Sequence, residues 1–93
     1  MFVQPISTSQ KNQMLDSTIG ELLKEYPNGF SYFSYCQDHI YDAVVEPAGT
    51  YRAHLIVSNR GQGICRSVIT DKGIKFSELD NDGENIVENL AEA

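Results

Sequence analysis

Few residues in this chain have the types and spacing that chemistry requires. Cys36, His39, His54 and Cys65 are its only thiols and imidazoles. Zinc takes four such ligands in a tetrahedron, and Cys36-x-x-His39 has the local spacing of half a site. His54 and Cys65 are split by ten residues without a knuckle motif. Buried thiols and surface histidines account for the set more simply. A Cys–His nucleophile drawn from the same residues lacks any motif that would stabilise an oxyanion. Glu78, Asp80, Asp82 and Gly83 fall at the first, third, fifth and sixth places of a calcium loop, but the twelfth is Asn89, where a bidentate Glu is required. An acidic helix cap explains them better. Phe30, Tyr32, Phe33 and Tyr35 offer faces on which bases stack, although in so small a protein such rings go to the core first. The sequence predicts no catalytic residue, no metal and no cofactor.

The elements that hold these residues belong to one domain, residues 1–93. The net charge of −6 excludes a uniformly basic nucleic-acid coat and a polybasic membrane anchor. An apolar content of 41%, with five Tyr and four Phe, is too high for a disordered chain. No apolar run approaches the roughly 18 residues of a membrane span. Met1 to Gln13 lacks the basic start and apolar stretch of a signal peptide, and the two thiols suit a cytoplasmic protein.

Charge is unevenly spread. Residues 1–48 hold two bases against six acids, a net −4. Residues 49–77 hold Arg52, Arg60, Arg66, Lys72 and Lys75 against Asp71 alone, a net +4. Residues 78–93 hold six acids and no base. The middle third is a basic island, which reads either as a binding surface or as the ordinary charge of exposed strands and loops.

Residues 1–9 read as a loose lead-in. Met14, Leu15, Ile19, Leu22, Leu23 and Tyr26 then paint one face of a helix over about 10–26, which Pro27-Asn28-Gly29 stops. Residues 30–46 are open to two readings. Tyr32, Cys36, Ile40 and Val44 step by fours as in a helix over 31–43, while the aromatic and β-branched content favours a strand at 40–45. Glu46-Pro47-Ala48-Gly49 reads as a type I turn. Thr50 to Ser58 alternates like a strand, yet Tyr51, Leu55 and Ile56 also make a short helical face. Ile64–Thr70, the turn Asp71-Lys72-Gly73 and Ile74–Ser77 read as a hairpin. Asp80, Asn81 and Asp82 cap an acidic C-terminal helix over 80–93, with Ile86, Val87 and Leu90 on its apolar face.

The segment Ile19 to Ser31 resembles the first helix and turn of winged helix-turn-helix domains, and Val68 to Phe76 resembles their wing. The resemblance spans about residues 12–78. It implies a small α+β domain: an N-terminal helix or helical pair, then an antiparallel hairpin or meander, then a short C-terminal helix. Thr50 to Gly61 would be the recognition helix. The function implied is a non-enzymatic, DNA-binding regulator of transcription. Arg52 and His54 would face the major groove, with Arg52 reading a guanine edge, and Arg60, Arg66, Lys72 and Lys75 would hold phosphates.

The alternative α+β fold is a four-stranded meander near 40–45, 50–58, 63–70 and 74–78, packed on the N-terminal helix. Such a domain suits a small acidic protein-protein interaction module or inhibitor that meets a basic partner through Glu84, Glu88 and Glu92. Phage-type inhibitors of nucleic-acid-handling enzymes fit that description in general terms. Homodimerisation is compatible with either fold. Arg60-Gly61-Gln62-Gly63-Ile64 resembles the pyrophosphate loop of an acetyltransferase family, but that loop needs a helix at once. Only Cys65 to Thr70 precede the next turn, so a plain connecting loop is expected.

Overall fold

The computed structural model of the chain describes residues 3–36, 39–49, 52–59 and 65–92. Two capping boxes organise its first quarter. Ser7 and Gln10 exchange side chain-to-backbone hydrogen bonds at the start of α1 (Thr8–Met14), and Thr18 and Glu21 do so for α2 (Ile19–Glu25). Each box satisfies N–H groups that a helix start leaves orphaned. The apolar periodicity over 10–26 thus resolves into a helical pair. The break falls at Asp16-Ser17 because Thr18 serves better as a cap than as an interior helix residue. The lead-in is not loose either. Gln4–Pro5 form a short strand, β1, and Ile6 is buried.

Four longer strands follow: β2 (Phe30–Cys36), β3 (His39–Pro47), β4 (Ala53–Asn59) and β5 (Cys65–Thr70). They form an antiparallel meander, and β1 adds to β2 in parallel, giving the sheet order β1-β2-β3-β4-β5. The last element is α3 (Phe76–Glu92). The fold is α+β, as expected, with an architecture close to the meander alternative.

Three expectations are corrected by the fold. Residues 31–43 contain no helix among those described, because their aromatic and β-branched side chains line two paired strands. The recognition helix expected at 50–61 is absent from the described part, 52–59. Ala53 to Asn59 lie in register between β3 and β5, with Ala53, Leu55 and Val57 buried and His54, Ile56 and Ser58 on the other face. The wing is not a hairpin. Lys75 makes an isolated bridge to Thr18, its N–H donates to Oε2 of Glu78 at 3.0 Å, and α3 begins at Phe76. The C-terminal helix therefore starts four residues before Asp80, and Asp80 lies in its second turn rather than at its cap.

The helices share one face of the sheet. Buried side chains alternate along each strand: Phe30, Tyr32 and Ser34 on β2, Tyr41, Ala43 and Val45 on β3, Ala53, Leu55 and Val57 on β4. Ile19 and Leu22 from α2 and Phe76, Leu79 and Val87 from α3 close over them. Full burial of a residue such as Leu55 contributes about 1.5–3 kcal/mol. The rings of Phe30 and Tyr32 each meet Phe76 edge-on, at 5.3 Å between centroids. Gly83 sits where α3 crosses the sheet, with Leu55 Cδ2 only 3.4 Å from where a Cβ would lie.

Two backbone features lock the ends of the chain together. The N–H groups of Ile19 and Gly20, at the start of α2, donate to the carbonyls of Ile74 and Lys72 at 2.8 and 2.9 Å. Conversely, the N–H groups of Phe76 and Ser77, at the start of α3, donate to the carbonyls of Ser17 and Leu15 at 2.8 and 2.9 Å. Each helix start is satisfied by the segment leading into the other. Gly29 has φ +88°, and a Cβ there would lie 2.3 Å from the Val45 carbonyl oxygen. Only glycine fits that turn into β2. No described helix is long and apolar enough to cross a membrane.

Candidate functional site

Of the five basic residues of the island, the structure describes the side chains of Arg52, Lys72 and Lys75. Arg52 is exposed just before β4, with its Nε 4.0 Å from Asp71. Lys72 and Lys75 are exposed on the connection from β5 to α3. His54 is half-buried, with Nδ1 3.8 Å from Oε1 of Glu46. Arg66 pairs in register with Val57, four residues or about 13 Å along β5 from Thr70, and its side chain lies outside what is described. Arg60 also lies outside the described residues, as does the whole Arg60–Ile64 loop. The next element after that loop is the strand β5, so the helix that a pyrophosphate loop needs is not there.

The side chains of Cys36, His39 and Cys65 lie outside what is described; by register Cys36 pairs with His39 across the β2–β3 hairpin, and Cys65 on β5 pairs with Ser58 on β4. Glu78, Asp80, Asp82 and Gly83 belong to a helix, not to a calcium loop. Among the described residues no group of three or more His, Cys, Asp or Glu could hold a metal ion. Glu84 and Glu88 lie one helical turn apart on α3 and are half-buried, while Glu78 and Asp82 are exposed. Glu92 continues that spacing on α3, and its side chain is not described.

A buried polar cluster joins the first helix to the last. The Nζ of Lys11 on α1 lies 3.0 Å from Oδ2 of Asp80 on α3, with only 10% and 11% of the two side chains exposed. The same ammonium donates to Ser34 Oγ at 3.2 Å and stands 5.3 Å from the centre of the Tyr32 ring. Burial first, and the Asp80 carboxylate second, push the Tyr32 hydroxyl well above the ordinary tyrosine range. That hydroxyl and Oδ1 of Asp80 are both sealed from solvent, and neither makes a hydrogen bond that meets the usual geometry. The cluster's side chains are nearly buried, and Asp80 borders a shallow groove beside α3. The cluster is a structural tie that sequence reasoning missed, because Lys11 and Asp80 stand far apart in the chain without a local motif.

The other face of the sheet is open. All three helices pack on the first face, and no described element covers the second. Across it, β2 presents Ser31, Phe33 and Tyr35, β3 presents Ile40, Asp42, Val44 and Glu46, β4 presents His54, Ile56 and Ser58, and β5 presents Ile69. Phe33, Tyr35 and Ile69 are 55%, 66% and 59% exposed. The four aromatics of the segment 30–35 thus divide. Phe30 and Tyr32 are core, and Phe33 and Tyr35 are surface. Isolated surface apolar residues need no explanation, but a sheet face carrying six of them together does.

Two shallow grooves, one of about 340 Å³ beside α3 and one of about 360 Å³ beside α2, are open to solvent. Neither has the enclosure of a small-molecule site. No protein-family model matches the chain, and neither the curated proteins nor the solved structures contain a match to it.

Proposed function

We propose that this chain is a non-enzymatic protein-binding module that docks a partner through the open face of its sheet. The observation that carries this reading is the exposure of Phe33, Tyr35 and Ile69 on a sheet face that no described helix covers. Burying such a face is favourable, and tyrosine and phenylalanine anchors contribute most where a partner excludes water from them. The acidic surface of α3 adds long-range steering toward a basic partner rather than the contact itself. The winged-helix reading fares worse, because the strand at 53–59 removes the element that would enter a groove.

The test replaces Tyr35 with a photo-crosslinking amino acid and irradiates cells in which the chain is naturally made. One protein adduct is expected, and it should vanish when Phe33 and Ile69 are also changed to serine. No adduct would overturn the reading. So would duplex DNA binding at low salt that is lost in the Arg52→Ala/Lys72→Ala variant.

A further inference from the structure

The geometry points to an extended, arginine-bearing segment of a partner protein as the occupant of the open face. This rests on that face being the docking surface. Its charge narrows the partner. The described residues of the face include the carboxylates Asp42 and Glu46, and at its far end Arg52 stands opposite Asp71, with which it lies at 4.0 Å. Asp42 and Glu46 lie on the central strand β3, four residues apart, with Val44 between them. Residues so spaced in a strand share a face and stand about 13 Å apart. An extended ligand repeats with the same rise. Two cationic residues four apart, with an apolar residue midway, would meet Asp42, Val44 and Glu46 in order.

A ring selects the cation. Tyr35, paired with Ile40, lies diagonally across from Asp42 on the same face and is largely exposed. A guanidinium stacks on a ring while its fork pairs with a carboxylate, which an ammonium does less well. His54 lies 3.8 Å from Glu46 and competes for it when protonated, so Asp42 is the stronger anchor.

Charge excludes the rivals. A second copy of the chain would set carboxylate against carboxylate across the contact. Nucleic acid would bring phosphates to the same two acids.

The experiment titrates isotope-labelled full-length protein with the peptide Ser-Arg-Ser-Leu-Ser-Arg-Ser at low salt and follows the backbone amides. Shifts should centre on Phe33, Asp42, Val44 and Glu46. Asp42→Asn should weaken binding about fivefold, the upper end for a partly solvated ion pair. Moving the arginines to three apart puts them on opposite sides of an extended chain and should weaken it by a similar factor. Shifts confined to α3, indifference to Asp42 or to spacing, or tighter binding of a single-stranded oligonucleotide would each overturn the inference. If the peptide fails while the crosslink at Tyr35 still captures a partner, the cationic segment is wrong and the docking surface stands. If both fail, the surface itself is wrong.

Discussion

Replacing Lys11 with methionine should strand a carboxylate inside the protein. Asp80 is about nine-tenths buried, and Lys11 is its partner at 3.0 Å. Breaking such a pair from one side costs about 3–5 kcal/mol, because the remaining ion has lost water without compensation. The ring contact with Tyr32 adds little to that loss, since a thioether also packs well on an aromatic face. A domain of this length has a net stability of about 5–14 kcal/mol, so the variant should lose about a fifth of it or more. With a urea slope of about 1 kcal/mol/M, the midpoint should fall by about 3 M. Lys11→Met combined with Asp80→Asn should recover at least about 2 kcal/mol of the loss, because no unpaired ion remains. Urea titrations of the four proteins give the cycle. A Lys11→Met cost below about 1 kcal/mol, or a double variant weaker than either single one, would refute the claim that this pair is desolvated.

Gly29→Ala should cost more than about 3 kcal/mol by urea titration. It forces a left-handed conformation and places a Cβ 2.3 Å from the Val45 oxygen, where backbone must move. Gly83→Ala should instead stabilise by up to about 1 kcal/mol, since the nearest atom to the new Cβ is at an ordinary 3.4 Å and helix propensity improves. A rise in Tm of about 4–8 °C would report it, and a fall would mean that α3 cannot yield by a few tenths of an ångström. The raised Tyr32 pKa sets an alkaline limit. The unfolded chain releases this proton near pH 10 while the folded chain keeps it. Stability contributed by the neutral hydroxyl is therefore intact below pH 10 and falls by about 1.4 kcal/mol per pH unit above it. Tyr32→Phe should remove that part of the slope in denaturation curves between pH 9 and 11.

The sequence was most legible where one face of an element is polar. Thr50 to Ser58 alternates clearly, and its strand reading was the sound one for the described part of that stretch. The hairpin of β2 and β3 was obscured for a physical reason. Phe33, Tyr35, Ile40 and Val44 are apolar although they sit on the uncovered face, so the period of two is blurred and steps of four imitate a helix. The confusion was itself a trace of the candidate site. Both capping boxes, Ser7-x-x-Gln10 and Thr18-x-x-Glu21, were readable signals for the break in the first helix. The Lys11–Asp80 tie was not readable. Neither residue carries a local mark of its partner, and Asp80 looked like a cap because acids favour helix starts.

The crossed hydrogen bonds at the starts of α2 and α3 bear on how the chain is made. The first helices emerge early in synthesis, yet the carbonyls that complete α2 belong to Lys72 and Ile74, and the partner of Lys11 comes later still. A nascent chain stopped before these residues holds an unfinished helix pair and a sheet without its cover. Folding therefore closes late, over long sequence separations, and runs slowly for a protein of this size. Loss of even the last quarter of the chain would undo its beginning.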